Sequence, residues 1–200
     1  MQDEFYWSDR SIEDMSKDWG GRTYEESKDH PHRELIIKAL KSFDFSSVLE
    51  VGCNSGPNLL RIAETLPDVI LGGIDPNLQV IEKARELLPK AVVKRASVLQ
   101  IPFEDKGFDI VLADAVLMYV QNITAAMGEI DRVAKRGIII CDWATDGSVP
   151  DGVQDFHYVR NYKKLLEDLG YSVISHKITT EEWTNLRWNT HGHLFTAVRQ

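Results

Sequence analysis

From Phe45 onward the chain alternates short apolar runs with amphipathic segments, and this alternation leaves few architectures open. Residues 47–51, 69–74, 91–96, 108–113 and 137–142 read as buried strands. Residues 57–65, 77–88, 123–133 and 158–169 read as helices, the last closed by Gly170 as a C-cap signal. Strands separated by helices form βαβ units, hence a largely parallel sheet. The tail breaks the pattern: residues 171–177 and 193–199 are strand-like with no good helix between them, so they should pair antiparallel. The expected fold is α/β, a seven-stranded mixed sheet of five or six parallel strands plus a C-terminal antiparallel strand, with helices on both faces.

A chain of 200 residues, 43% hydrophobic and 27% charged, suits one globular domain. With 23 basic and 31 acidic residues its formal net charge is −8. That balance argues against general binding to nucleic acid or to an anionic membrane surface. The two cysteines, Cys53 and Cys141, lie at or beside apolar stretches and read as reduced thiols of a cytoplasmic protein. Residues 1–7 are acidic and aromatic, unlike a signal peptide, and no apolar run approaches the ~18 residues that span a bilayer. The first 40 residues hold Phe5, Tyr6, Trp7, Trp19 and Tyr24 among many charges without a clean period, until a helix begins near Pro31. This arm is expected to pack across the carboxyl edge of the sheet.

Glu50-Val51-Gly52-Cys53-Asn54-Ser55-Gly56 follows the first strand, and Pro57 suits the first turn of the next helix. In open α/β sheets ligands bind beyond the carboxyl strand ends, near the reversal of strand order. A dinucleotide turn wants Gly-x-Gly-x-x-Gly, and counted from Gly52 those positions hold Gly52, Asn54 and Pro57. The competing pattern is acidic-x-Gly-x-Gly-x-Gly, and Glu50, Gly52, Asn54 and Gly56 occupy it with Asn54 the sole departure. Asparagine tolerates left-handed backbone, so that departure is physically mild. Asp75 ends the second strand, where an acid can accept both hydroxyls of a ribose. The plainer reading of Asp75-Pro76-Asn77 is a helix start.

On these motifs, residues 48–142 resemble a class I methyltransferase dependent on S-adenosylmethionine (SAM), small-molecule and type 11-like, with a Rossmann-like fold. The resemblance implies SAM as cofactor and a small-molecule acceptor. It implies a SAM-binding core over residues 45–143, an N-terminal arm or lid over 1–40, and a substrate-side helix and hairpin over 144–200, all within one domain. By position it puts Glu50 beneath the SAM ammonium, although a buried acid capping nearby amides is an equal alternative. It puts Gly52, Asn54 and Gly56 in the turn, and Asp75 with Pro76 at the ribose. Ser97 and Val98 take the adenine place, with Ser97 replacing the commoner Asp, and Asp114 with Ala115 stand by the methionine part.

Trp7, Trp19, Trp143, Trp183 and Trp188 all lie outside the βαβ core, and the topology sends most of them toward one rim, as for a pocket wall. Tyr6, Trp7 and Arg22 in the arm are candidates for cofactor or substrate contact, with Arg22 facing a carboxylate. His157 follows the fifth strand and is the candidate general base, because imidazole titrates near neutral pH. The alternative there is helix capping by Asp155 and packing by Phe156 and Tyr158. His30-x-His32, His191-x-His193, Asp114 and Asp142 permit a metal reading, but Trp143 takes the place of the Asn that magnesium-dependent relatives use, and no metal is expected. The competing functions are an NAD(P)-dependent oxidoreductase and a SAM-binding module without catalysis.

Overall fold

The computed structural model describes residues 4–13, 25–145, 151–154 and 157–200. Its strands, in chain order, are β1 (Ser47–Val51), β2 (Ile70–Asp75), β3 (Val92–Arg95), β4 (Phe108–Asp114), β5 (Ala134–Trp143), β6 (Gly152–Gln154), β7 (His157–Val159), β8 (Tyr171–Lys177) and β9 (Gly192–Arg199). Seven of them form one sheet in the order β3-β2-β1-β4-β5-β9-β8. Strands β1 to β5 are mutually parallel, and β9 runs antiparallel between β5 and β8. The sequence expectation of a mixed seven-stranded sheet with a terminal antiparallel strand therefore holds.

The central strands are apolar over most of their length because helices cover both faces. Val48, Leu49, Ile110, Val111, Ile139 and Ile140 are fully buried. On one face Ile36, Leu40, Leu59, Ile62 and Ile81 come from helices His32–Leu40, Pro57–Thr65 and Leu78–Leu87. On the other, Met127, Ile130, Tyr162 and Leu166 come from helices Ile123–Val133 and Tyr162–Asp168. Four asparagines start helices by accepting a backbone amide: Asn77 from Gln79 at 2.9 Å, Asn122 from Ala125 at 3.2 Å, Asn161 from Lys164 at 3.0 Å and Asn185 from Arg187 at 2.9 Å.

Two elements depart from expectation. The helix expected over 158–169 begins only at Tyr162, because Asn161 caps it there. Ahead of it, β7 pairs antiparallel with β6 in a separate two-stranded hairpin. The segment joining β8 to β9 holds a short helix, Leu186–His191, capped by Asn185. Its length of 6 residues is too short for the periodicity that reveals helices in a sequence. No helix among the described residues is long and apolar enough to cross a membrane. The strand order reverses between β1 and β4, which opens a crevice at the carboxyl ends of the parallel strands.

Candidate active site

A cavity of about 780 Å³ occupies that crevice. Its first half is built from the ends of β1, β2 and β4. Gly52 adopts φ +69°, and a Cβ there would stand 2.2 Å from Val116 in the loop after β4. A side chain at this position would force the two loops apart. Asn54 takes φ +50°, the left-handed backbone its side chain tolerates. Its amide donates to Asp75 Oδ2 at 3.0 Å, and the Asn77 amide donates to Asp75 Oδ1 at 2.9 Å. Asp75 is thus fixed against both turns, with a lone pair remaining on each oxygen. Burial pushes its carboxyl up to about 6, while the two amides pull the other way.

Glu50 is the group least at rest. It is 2% exposed, faces the cavity, and its Oε2 has no hydrogen-bond partner. Its Oε1 accepts from Asn58 Nδ2 at 2.6 Å. Burial pushes its pKa up to about 8, opposed by the Asn58 bond and by Arg33. The same Asn58 amide reaches Asp114 Oδ2 at 2.9 Å. Asp114 also meets His32 Nε2 at 3.0 Å and Arg33 at 3.5 Å, and these partners hold its carboxyl well below the usual range despite burial. Arg33 in turn donates to the Ser27 carbonyl and hydroxyl, both at 2.8 Å, so residues 25–29 are fastened to the cavity floor. Beyond Asp114, Ala115 turns left-handed at φ +56° and directs the chain along the cavity wall.

The second half is aromatic. Trp7, Tyr119, Trp143, His157, Trp183 and Trp188 line it. Helix Glu4–Asp9 comes close because Asn77 Nδ2 donates to the carbonyls of Trp7 at 2.9 Å and Arg10 at 2.7 Å. Trp7 then packs on Tyr119 with ring centres 4.7 Å apart. His157 Nε2 lies 3.3 Å from the Tyr119 hydroxyl, and its ring packs on Trp143 at 4.5 Å.

Of the sequence candidates, Trp7, Glu50, Gly52, Asn54, Asp75, Pro76, Val98, Asp114, Ala115 and His157 all line this one cavity. Gly56 and Ser97 do not. Gly56, at φ +88°, starts the helix, and a Cβ there would meet Leu88 at 2.7 Å. The Ser97 hydroxyl accepts from the Leu99 amide at 3.0 Å, leaving Ala96, Val98 and Leu99 to form the wall. Tyr6 lies in the first helix, and Arg22 and Trp19 fall outside the described residues. Asp142 is fully buried and accepts from the amides of Val116, Leu117, Met118 and Trp143, so it organises the loop after β4 and is absent from the cavity lining. No group of three or more potential metal ligands occurs among the described residues. The sequence reading passed over Asn58 and Arg33 as site residues and named His32 only in a metal reading. The available signal was a polar residue on the buried stripe of an amphipathic helix, beside Leu59 and Ile62.

A family model described as a methyltransferase domain matches residues 49–141, which run from β1 to β5 and include the glycine turn. Over those residues the chain is similar to the class I SAM-dependent methyltransferases. Among its relatives, an O-methyltransferase of Aspergillus sclerotiorum is 27% identical over 92% of this chain and 70% of its own length. An uncharacterized methyltransferase of Schizosaccharomyces pombe is 30% identical over 53% of this chain and 41% of its own, so the chain spans well under half of that protein. A SAM-dependent methyltransferase from Aquifex aeolicus superposes with a TM-score of 0.64 at 19% identity, covering 88% of this chain and 97% of the other. The residues present fit the family's cofactor. The buried Glu50 Oε2 has no hydrogen-bond partner, and Asp75 lines the cavity at the end of β2. The dinucleotide alternative lacks such support, since Pro57 fills the third glycine position and has no amide to offer a diphosphate.

Proposed function

We propose that the protein transfers the methyl group of SAM to a hydroxyl oxygen of a small molecule held in the aromatic half of the cavity. The observation that carries this reading is the continuity of the two halves, with His157 and Tyr119 on the far wall. Asp75 would accept the ribose hydroxyls, Glu50 the ammonium, and Val98 with Leu99 would cover the adenine. When bound, SAM supplies an electrophilic methyl group on a sulfonium sulfur that leaves as a neutral thioether. The chain's own tasks are placement, exclusion of water and management of one proton. His157 takes the acceptor's hydroxyl proton, with the Tyr119 hydroxyl aligning the ring. The positive charge that disappears at sulfur is then balanced by the imidazolium. Incubation with methyl-labelled SAM and a panel of hydroxylated metabolites tests this reading. Label in an ether product supports it; tight SAM binding with no labelled product from any acceptor leaves the non-catalytic module.

Asp75→Ala should weaken SAM roughly tenfold or more, because two ribose hydroxyls lose their acceptor at ~1–3 kcal/mol. Calorimetry on both proteins checks this, and equal affinities would remove Asp75 from the ribose. Glu50 makes binding depend on pH. Its folded pKa of about 8 lies above the ordinary carboxylate value, so the ligand-free protein holds a proton there at neutral pH. An ammonium favours the carboxylate and expels that proton. Affinity for SAM should therefore rise from pH 6 toward pH 8, and titrations in buffers of different ionisation enthalpy should show proton release. Glu50→Gln should flatten the profile; an unchanged slope in that variant would assign the linkage elsewhere. The arm held by Asn77 is read as a lid. Amide exchange across residues 4–13 should slow when S-adenosylhomocysteine is added, and identical exchange would make this segment static packing.

A further inference from the structure

Resting on the methyl-transfer reading, we infer that the acceptor is a phenol, a planar aromatic ring bearing the hydroxyl that receives the methyl group. The wall of the acceptor half is an unbroken run of rings from separate segments. Trp183 and Trp188 stack at 3.9 Å with planes 4° apart. Trp188 meets the edge of Trp143 at 6.3 Å, Trp143 packs on His157 at 4.5 Å, and His157 adjoins Tyr119 at 5.0 Å. Trp143, Trp183 and Trp188 are 3%, 8% and 6% exposed, yet all three border the cavity. Their mutual packing fixes the wall before any ligand arrives. A rigid aromatic wall holds a flat apolar ring at little entropic cost.

Charge selects among flat ligands. Among the described residues, the carboxylates that line the cavity are Glu50, Asp75 and Asp114, all at the tips of β1, β2 and β4. Asp114 is already matched by His32 and Arg33. The ionisable groups bordering the aromatic half on the β7 and β8–β9 side are His157 and Arg187. An aromatic wall with an arginine and, among the described residues, no carboxylate favours a neutral or anionic ring over an ammonium acceptor. The chemistry of the base agrees. A phenol gives up its proton near pH ~10, within reach of an imidazole, whereas an aliphatic hydroxyl holds its proton several orders of magnitude more tightly.

The test uses the full chain saturated with S-adenosylhomocysteine and three probes on one two-ring carbon skeleton: 2-naphthol, decahydro-2-naphthol and trimethyl(2-naphthyl)ammonium. Binding is read by saturation-transfer NMR and tryptophan quenching. The expected result is 2-naphthol binding at least tenfold tighter than either comparator. Trp188→Leu and Trp143→Leu should each weaken 2-naphthol tenfold or more while homocysteine-product affinity stays within about twofold of wild type, which also shows that the variants fold. Preference for the saturated alcohol, preference for the ammonium, or no detectable 2-naphthol binding to the saturated protein would each overturn the phenol assignment. The comparison of probes on wild type stands even where a variant fails to fold. Failure of S-adenosylhomocysteine to bind wild type would instead overturn the methyl-transfer reading beneath it.

Discussion

Replacing His157 by alanine is expected to lower turnover by ~10²–10⁴-fold, the contribution of a positioned general base, while leaving SAM affinity nearly unchanged. The split follows from geometry. His157 stands on β7 against Trp143 and Tyr119, whereas the groups assigned to the cofactor sit at the ends of β1, β2 and β4. Because the imidazole also fills space beside Trp143, a simple loss of rate is ambiguous, and the pH profile decides. Wild-type turnover should show an acid limb, and His157→Gln should lose that limb while keeping most of the packing. Turnover within a few fold of wild type in both variants would exclude His157 as the base. Tyr119, which shares the cavity wall, would then be the next group to examine.

The second large effect concerns stability. Asp114 is the shared partner of His32, Arg33 and Asn58, with a side chain only 7% exposed. Removing one member of a buried charged set leaves the others unpaired, at a cost of ~3–5 kcal/mol. Asp114→Ala should show that loss in urea denaturation. Asp114→Asn should lose less, because an amide oxygen still accepts from His32 and Asn58 while the Arg33 charge goes uncompensated. The pH dependence carries the same sign. A carboxylate whose folded pKa is depressed contributes stability above its unfolded value near pH ~4, and that stability disappears as pH falls below it. Wild type and Asp114→Ala should therefore converge in stability under strongly acid conditions. A variant as stable as wild type at neutral pH would show that the cluster is not a structural clamp.

Much of the fold was legible in the residues, and the reason is local. Strands β1 and β8 and helices Pro57–Thr65 and Ile123–Val133 have the limits expected from apolar period, proline and asparagine caps. The antiparallel placement of β9 followed from the absence of a crossover helix. What escaped was set by tertiary contact. His157-Tyr158-Val159 joins a strand only because Gly152-Val153-Gln154 lies alongside, and the helix behind it starts at a capping asparagine. The lining of the cavity at the ends of β1, β2 and β4 was similarly readable, since glycine and acid positions follow each strand end. Gly56 and Ser97 were read as ligand contacts because spacing cannot tell a glycine that faces a ligand from one that faces Leu88, or a free hydroxyl from one closed into a turn. His32 and Arg33 meet Asp114 across 82 and 81 residues of sequence, which no local pattern encodes.

Methyl transfer by this chain requires SAM in the half of the cavity formed by β1, β2 and β4. Calorimetric titration of the full chain with S-adenosylhomocysteine, with NAD as the comparison ligand, tests that claim. The expected result is saturable one-to-one binding of S-adenosylhomocysteine, at least tenfold weaker in Asp75→Ala, and no heat with NAD. Binding of NAD in its place, or S-adenosylhomocysteine affinity untouched by the loss of the Asp75 carboxylate, would contradict the assignment of this cavity.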